Sequence, residues 1–460
     1  MTSRRDFLTG SAIGAVACGL GGACATVKPV SSAVPSLAQR RWQELEIGMF
    51  FHYDIPIFAP GWKWDSFKDI PSPDVYNPAK LDTDQWMEAA KAIGAKYVIF
   101  TAKHCSGFLQ WQSDAYDYGL RQSKWRNGKG DVVKDFIESA RRYGMIPGLY
   151  ASVSANAYWG VNNPGAVNHG KGGDVEAQRR YAKVCEKMAT ELWSRYGELG
   201  EIWFDGGVLS PEQGGPDLYP IIERYQPNAI LFQGPEQSKN LIRWIGNELA
   251  VAPYPCWGST NVLTDSDGIA ESSFPGHPDG QYWAPGECDV PMRKHAWFWG
   301  ECEGKWRYWS DKELMSKYLS SVGRNCNLLL NANPSPDGLI IDCEMEQYRR
   351  FGAAIRKRFS NPLASVAGEG EKVEIEFAEP TQIDQLVVSE DIRFGHRVRA
   401  FVIETKGVDG KWYFAGDGLA IGHKYIQVIP PTMAKAVRLR ITSAMGRPEI
   451  TNFAAFNTRG

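Results

Sequence analysis

The sequence predicts a (β/α)8 barrel of the TIM type, followed by an antiparallel β-sandwich. From about residue 40 to residue 358, short apolar runs rich in β-formers alternate with segments of helical period, which indicates a parallel sheet. Eight strand candidates spread over about 310 residues fit a closed barrel better than an open sheet. After about Ser360, short alternating runs separated by turn residues are typical of a sandwich of roughly 100 residues.

The elements of the predicted barrel follow one another in regular order. The strand candidates are Ile47–Tyr53, Tyr97–Ala102, Ile146–Val153, Glu201–Asp205, Ala229–Gln233, Ile242–Ile245, a run near Trp283–Glu287, and Asn327–Asn331. Helical periods between them include Thr83–Ile93, Val132–Tyr143, Glu176–Tyr196, Leu218–Tyr225 and Asp311–Val322. Asp82 and Asp311 are the predicted N-caps of two of these helices. Residues 250–282, rich in Pro, Gly, Ser and Asp, are predicted to form a long surface loop.

The predicted sandwich occupies residues 359–460. Its strand candidates are Lys372–Phe377, Gln385–Ser389, Val398–Thr405, Lys411–Ala415, Tyr425–Val428 and Ala436–Ile441. Turn residues such as Asp409-Gly410 and Pro430-Pro431 separate them. No tryptophan or tyrosine of this segment forms a clear platform for a sugar, so we expect the sandwich to stabilise the barrel.

The first 25 residues have the features of an export signal. A paired arginine, Arg4-Arg5, precedes a modest apolar stretch over Ala12–Leu20, which matches a twin-arginine signal. Ala23-Cys-Ala25 is a predicted cleavage site, and lipidation of Cys24 is the alternative. Residues 26–39 are predicted to be a linker that precedes the barrel. The expected location is therefore the periplasm or the exterior of a bacterial cell.

The composition of the chain excludes several classes of protein. Charged residues make up 23% of the 460 residues and the net charge is −2, so no basic surface for nucleic acid or anionic lipid is predicted. No apolar run beyond the N-terminal segment approaches the roughly 20 residues that span a bilayer. Aromatic residues reach 12%, with 17 tryptophans, which fits either large aromatic cores or stacking on sugar rings. The sequence gives no prediction of oligomeric state.

The cysteines do not form a metal-binding pattern. Of nine cysteines, two lie in the export segment, and the remaining seven show no Cys-x-x-Cys or other zinc spacing. An odd count leaves at least one free thiol. Cys288 and Cys302 are the nearest to a predicted disulfide. No metal and no organic cofactor are predicted.

Reactive side chains of a (β/α)8 barrel lie at the C-terminal ends of its strands. Those positions bring together two histidines, an aspartate and one or two glutamates among tryptophans. The residues are His52, His104, Tyr150, Trp203, Asp205, Glu248, Trp283 and Glu287. Cleavage of a glycosidic bond needs paired carboxyl groups, because one attacks the anomeric carbon or activates water and the other protonates the leaving oxygen. The sequence offers neither a phosphate-binding loop nor a Gly-x-Ser-x-Gly elbow.

Four motifs in the same order resemble those of the glycoside hydrolase family 29 α-L-fucosidases. The resemblance covers about residues 40–358, and the C-terminal sandwich also fits that family. The motifs are Gly48-Met-Phe-Phe-His52, Ala102-Lys-His104-Cys-Ser-Gly-Phe108, Glu201-Ile-Trp-Phe-Asp205-Gly-Gly and Ser321-Val-Gly-Arg-Asn-Cys-Asn-Leu-Leu-Leu-Asn331. The resemblance implies hydrolysis of terminal α-linked fucose with retention of configuration, on a fucosylated glycan as substrate.

The resemblance also implies roles for individual residues. Asp205 matches the family's nucleophile. Arg243-Trp-Ile-Gly-Asn-Glu248 resembles the acid/base motif of the subfamily that cleaves α-1,3 and α-1,4 fucosyl linkages, so Glu248 is the predicted acid/base and Glu287 the alternative. His52 and His104 are predicted to bind fucose hydroxyls, with Trp203 beside them. Tyr150, Trp64 and Glu287 complete the predicted substrate-binding set.

The chain departs from the family at two places near the predicted site. Cys105 and Ser106 stand where many members carry histidine and aspartate, and Trp62-Lys-Trp64-Asp65 stands where many carry Glu-Trp. These departures keep two alternatives open. One is a fucose-binding protein without catalysis, and the other is a barrel glycosidase that acts on another deoxy sugar.

Overall fold

The structure, a computed structural model, describes residues 33–63, 69–167, 174–263, 275–300 and 308–459. Eight parallel strands between residues 47 and 332 form a closed barrel. The strands are β1 (Ile47–Phe51), β2 (Tyr97–Lys103), β3 (Ile146–Ala151), β4 (Glu201–Trp203), β5 (Ile230–Phe232), β6 (Leu241–Trp244), β7 (Gly286–Pro291) and β8 (Cys326–Ala332). Their order around the barrel is β1-β8-β7-β6-β5-β4-β3-β2. Pairing of Gly48 with Leu329 and with Tyr97 joins β1 to both neighbours and closes the ring. The predicted barrel is confirmed. No helix in the described ranges is long and apolar enough to cross a membrane.

The seventh strand lies later in the chain than predicted. Residues Tyr282–Trp283 belong to a short antiparallel ribbon with Ser259–Thr260, and β7 begins only at Gly286. Pro285 has no N–H to donate to a ladder, which separates the ribbon from the barrel strand. At Gly286 a side chain would meet Cys326 Sγ at 2.8 Å, so only glycine fits this close approach to β8. The shift moves Asp289 into the middle of a barrel strand.

Of the seven α-helices in the described residues, five lie in connections between barrel strands, one precedes β1 and one follows β8. They are α1 (Leu37–Gln43), α2 (Thr83–Ile93), α3 (Val132–Arg142), α4 (Val175–Arg195), α5 (Tyr219–Tyr225), α6 (Asp311–Ser321) and α7 (Asp342–Phe359). Asp82 caps α2 as predicted, because its carboxylate accepts from the N–H groups of Asp84 and Gln85. The predicted cap Asp311 is wrong. Ser310 caps α6 in a capping box with Glu313, and Asp311 is the first helical residue.

The short helix α1 covers the N-terminal end of the barrel. Ser36 and Gln39 form a capping box that starts the helix within the segment predicted to be a linker. The Gln39 side-chain amide donates to the carbonyls of Leu241 and Trp283, at 2.9 and 2.7 Å. The Trp42 indole N–H donates to Glu201 Oε2 at 2.8 Å. Because Glu201 and Leu241 are the first residues of β4 and β6, α1 lies across the end of the barrel opposite the strand C-termini.

The C-terminal part is an antiparallel sheet of six strands, as predicted. The strands are β9 (Ala364–Glu369), β10 (Lys372–Glu390), β11 (Val398–Lys406), β12 (Trp412–Gly418), β13 (Tyr425–Ala444) and β14 (Glu449–Phe456). Their order in the sheet is β9-β14-β10-β13-β11-β12. Two pairs of predicted strands are the halves of β10 and β13, with register shifts between the halves. Pro430-Pro431 lies within β13 at such an irregularity. Bent in this way, the sheet encloses its own apolar core like a sandwich.

Polar contacts fasten this sheet to the loop that follows β6. The Gly258 N–H donates to His396 Nε2 at 2.6 Å, and the Tyr254 hydroxyl donates to the Ala420 carbonyl at 3.1 Å. The His396 ring also stacks on Trp283, with ring centroids 4.9 Å apart. The part of the predicted surface loop around Tyr254 and Gly258 therefore packs against the sheet, whereas residues 264–274 of that loop lie outside the described residues.

Candidate active site

A cavity of about 450 Å³ opens at the C-terminal ends of the barrel strands. This is the position at which barrel enzymes of this type carry their reactive groups. Its described lining is Phe50, His52, His104, Cys105, Tyr150, Ser154, Ala155, Asn163, Trp203, Asp205, Gly206, Phe232, Gln233, Trp244, Glu248, Asp289, Trp297 and Phe298. Six of the predicted site residues lie here together: His52, His104, Tyr150, Trp203, Asp205 and Glu248.

Asp205 lies two residues beyond the end of β4, where the chain turns into Gly206 and Gly207. The Tyr150 hydroxyl donates to Asp205 Oδ2 at 3.2 Å, and the Ser154 hydroxyl donates to the Asp205 backbone carbonyl. Burial raises the pKa of the Asp205 carboxyl above its ordinary value. The bond from Tyr150 opposes this rise in pKa, and the nearby carboxylate of Glu248 adds to it. Burial, the Tyr150 hydrogen bond and the Glu248 carboxylate therefore together determine the pH at which Asp205 ionises.

Glu248 reaches the same cavity from the loop after β6. Its backbone is left-handed, with φ of 48°, a conformation that few residues other than glycine adopt. The preceding Asn247 holds this turn, because its Oδ1 accepts from the Leu249 N–H at 3.0 Å and its Nδ2 donates to the Val251 carbonyl at 2.7 Å. The side chain of Glu248 is exposed to solvent at the cavity mouth. The asparagine of the Gly-Asn-Glu motif therefore stabilises the turn that presents Glu248 to the cavity.

His52 and His104 lie side by side in the cavity wall, with ring centroids 5.7 Å apart. Burial lowers the pKa of His52 to about 3, although its bond to Asn331 opposes the shift. Burial also lowers the pKa of His104 well below its ordinary value, aided by the charges of His52 and Lys103. Asn331 Oδ1 accepts from His52 Nδ1 at 2.7 Å, which leaves Nε2 as an acceptor. Two neutral imidazoles suit the binding of sugar hydroxyls.

Aromatic rings form much of the remaining wall. Trp203 stacks on Phe232 with centroids 3.9 Å apart, and its edge meets Phe50 at 5.1 Å. Phe298 and Trp297 lie over His52, at 5.1 and 4.9 Å between ring centroids. Such faces can contact the apolar C–H groups of a sugar ring.

Glu287 does not reach this cavity. It lies in the barrel interior near the N-terminal ends of the strands, where Tyr97 donates to Oε1 at 2.7 Å and Trp203 donates to Oε2 at 3.0 Å. Its carboxyl group is close enough to that of Glu201 for a hydrogen bond, and burial raises the pKa of both groups. Glu287 thus positions the Trp203 indole by a hydrogen bond on the side of the strand N-termini, and it is not part of the described cavity lining. The predicted contact residue Trp64 lies outside the described residues.

The structure adds a third carboxyl group to the cavity, Asp289 on β7. The Trp244 indole N–H donates to Asp289 Oδ1 at 2.7 Å. Burial holds the pKa of Asp289 well above its ordinary value, against the bond from Trp244, and the carboxylates of Glu248 and Glu287 add to the rise. The sequence carried a signal for this residue, because Glu287 and Asp289 are two apart on one strand and so face the same side. The signal was missed because the predicted seventh strand, near Trp283–Glu287, ended before Asp289.

The described cysteines are all free thiols: Cys105, Cys185, Cys256, Cys288, Cys326 and Cys343. Cys302, the predicted partner of Cys288, lies outside the described residues. The Sγ atoms of Cys256 and Cys326 lie 3.4 Å apart. Cys105 is the one of these six that lines the cavity.

Replacing Tyr150 by phenylalanine is expected to move the acid limb of the kcat/KM pH profile upward by about one unit. The change removes a donor that stabilises the ionised Asp205, so the pKa of that carboxyl rises further. A bond to a charged group is worth about 1.5–3 kcal/mol, and one pKa unit corresponds to about 1.4 kcal/mol. Tyr181→Phe is the control, because the Tyr181 hydroxyl donates to the Val153 carbonyl outside the cavity. An unmoved acid limb in Tyr150→Phe would show that Asp205 does not set it.

Comparison with known proteins places the chain in a family. The α-L-fucosidase family model matches residues 27–358. The α-L-fucosidase 1 of Arabidopsis thaliana is 31% identical over 465 aligned positions, which cover 91% of this chain and 86% of the plant protein.

Solved structures agree with this match. A candidate α-L-fucosidase from Bacteroides thetaiotaomicron VPI-5482 superposes with a TM-score of 0.86 at 37% identity, covering 93% of this chain and 99% of that chain. A glycoside hydrolase 29 family member from an unknown rumen bacterium superposes at 0.79 with 28% identity, covering 94% and 78%. With its barrel, its strand-end carboxyl groups and these matches, the chain belongs to the α-L-fucosidase family, glycoside hydrolase family 29.

Proposed function

We propose that the protein is a retaining exo-α-L-fucosidase with Asp205 as nucleophile and Glu248 as acid/base. The observation that carries this proposal is the placement of both carboxyl groups on one cavity, from the end of β4 and from the loop after β6. Asp205 attacks the anomeric carbon while Glu248 protonates the glycosidic oxygen, which gives a fucosyl ester. Glu248 then takes a proton from water, which attacks the ester and restores Asp205.

The surroundings of the two carboxyl groups favour this division of roles. Asp205 accepts a hydrogen bond from Tyr150, and such a bond stabilises the ionised form that a nucleophile needs. Glu248 is the exposed member, so it can exchange its proton with solvent between the two steps. Glu287 is a poor acid/base on the same grounds, because its oxygens are occupied by Tyr97 and Trp203.

The cavity fits a single terminal sugar. Its volume of about 450 Å³ and its lining of neutral histidines and aromatic rings suit a deoxy sugar that has both hydroxyls and apolar faces. We propose α-1,3 and α-1,4 linkages because of the Arg243–Glu248 motif. Arg243 itself is buried and donates to the Ala284 and Trp257 carbonyls, so it joins the later part of the loop after β6 to the residues before β7.

The test is hydrolysis of p-nitrophenyl α-L-fucoside beside a Lewis-type trisaccharide, with the first product examined by NMR. We expect α-fucose to form first and the trisaccharide to be preferred. Early β-fucose would overturn retention, and a preference for the aryl fucoside would remove the linkage proposal alone. Fucose binding without turnover would support a binding protein. Turnover confined to other aryl glycosides in a panel would indicate another deoxy sugar.

We further propose that the twin-arginine segment exports the folded protein to the periplasm or beyond. The segment ends at residue 25, and α1 begins at Leu37, so cleavage after Ala25 leaves the capped helix intact. Export in the folded state suits a chain whose described cysteines are free thiols.

A further inference from the structure

The cavity brings three different metal-binding side chains to one point. His104, Cys105 and Asp205 each offer one ligand atom, and these atoms all lie within 4.8 Å of one another. Nitrogen, sulfur and oxygen donors of this kind are typical of zinc sites that have three protein ligands. The cluster differs from a chance surface group because Cys105 is almost fully buried, with 4% of its surface exposed.

The local backbone explains how two adjacent residues face one cavity. Neighbouring side chains on a strand point in opposite directions. His104 and Cys105, however, lie just beyond the last residue of β2, where the chain turns. The Ala157 N–H donates to the Cys105 carbonyl at 2.7 Å and holds this turn against the loop after β3. The Cys105 thiol lies within hydrogen-bonding reach of the Tyr150 side chain and within 4.8 Å of the ligand atoms of His104 and Asp205.

The described cavity lining offers acidic groups and no cationic side chain. It holds three carboxyl groups, of Asp205, Glu248 and Asp289, and no lysine or arginine. The ammonium group of the neighbouring Lys103 donates to the carbonyls of Ser152 and Ala155. A bound divalent ion favours the ionised form of a carboxyl group beside it.

We propose that His104, Cys105 and Asp205 form an inhibitory site for borderline or soft divalent ions such as Zn²⁺ and Cd²⁺. The ion takes one donor from each residue and a water as fourth ligand, and the thiol proton passes to solvent. Tetrahedral bonds of about 2.0–2.3 Å require the three donors to close slightly around the ion. Mg²⁺ and Ca²⁺ prefer oxygen ligands and should not bind.

Coordination itself makes binding depend on pH. A cysteine binds a metal ion as its thiolate, so the bound ion displaces the thiol proton. Affinity should therefore rise with pH near neutrality.

The test is titration of the full chain with Cd²⁺, followed by its thiolate charge-transfer absorption in the ultraviolet. Cys105→Ser should lose this absorption, and its Zn²⁺ inhibition constant should rise at least about tenfold relative to the parent. Cys185→Ser is the matched control, since Cys185 is a buried thiol outside the cavity lining. It should keep both properties. Activity is compared with each variant's own metal-free rate.

A further measurement uses the parent alone. Binding of Cd²⁺ in weakly buffered solution should release one proton, because the thiol loses its proton when it coordinates the ion. If Cys105→Ser does not fold, Cys105→Ala replaces it in the absorption and inhibition measurements. Equal Cd²⁺ absorption in the parent and in both Cys105 variants, or unchanged Zn²⁺ inhibition, would overturn the site. The inhibition arm rests on the proposed function, whereas the absorption arm does not. If the protein shows no fucosidase activity but keeps the Cys105-dependent Cd²⁺ absorption, the proposed function is rejected and the metal site is retained.

Discussion

Asp205→Ala is expected to lower kcat/KM for p-nitrophenyl α-L-fucoside by at least about 10⁴-fold, because no fucosyl ester can form without the carboxylate. The fold should survive, because the Ser154 hydroxyl contacts the Asp205 backbone carbonyl, which the substitution retains. Removal of a buried carboxyl with a raised pKa also relieves a desolvation penalty at neutral pH. Unchanged or increased thermal stability would accompany the lost activity.

Azide supplies the sharper readout for this variant. The small anion can occupy the space of the missing carboxylate and attack the anomeric carbon directly. A single displacement inverts the centre, so the product of Asp205→Ala should be β-fucosyl azide, identified by NMR. The parent, assayed with azide, is the control and should form no inverted azide. A residual rate within tenfold of the parent would remove Asp205 from the role of nucleophile.

Glu248→Ala is expected to lower activity by an amount that depends on the leaving group. The trisaccharide has a poor leaving group and needs protonation, so its kcat/KM should fall by about 10²–10⁴-fold. p-Nitrophenolate leaves without a proton, so the same variant should lose less on the aryl fucoside. The ratio of the two losses is the measured quantity, obtained from kcat/KM on both substrates.

Glu287→Gln separates the two candidates for the acid/base. Its amide can keep one of the contacts to Tyr97 and Trp203, and it removes a carboxyl group beside Glu201. We expect similar fractional losses on both substrates, because the change acts through the position of Trp203. If Glu287→Gln showed the dependence on leaving group and Glu248→Ala did not, the roles would be exchanged.

Much of the fold could be predicted because the periodic signals were strong. The α2 helix matches its predicted bounds, and most barrel strands match within two residues at either end, since apolar runs ended by polar groups mark their limits. The signal failed at β7, where Pro285 interrupts the run and two acidic residues face the barrel interior. It also failed in α1, whose seven residues show too little periodicity to be distinguished from a linker.

The site was predictable to the extent that strand ends determine it. His52 and His104 follow their strands directly, Asp205 lies two residues beyond β4, and the structure brings all three to one cavity. Their chemical roles stay predictions. Glu287 was expected near the sugar because the seventh strand was placed too early, and Asp289 was missed for the same reason. Cys105 was noticed only as a departure from the family, since its position facing Asp205 depends on a turn that no sequence pattern indicates.

The attachment of the C-terminal sheet bears on how such chains can recombine during evolution. Tyr254 and Gly258 of the barrel loop bond to Ala420 and His396 of the sheet. The Gly258 N–H and the Ala420 carbonyl belong to the backbone, so the two bonds depend on the side chains of Tyr254 in the loop and His396 in the sheet. A sheet taken from a relative would keep both bonds only if it carried a histidine at this place and met a loop with this tyrosine. Exchange of this part between genes is therefore constrained by residues in two distant stretches of sequence. We expect the sheet and the loop to share one ancestry.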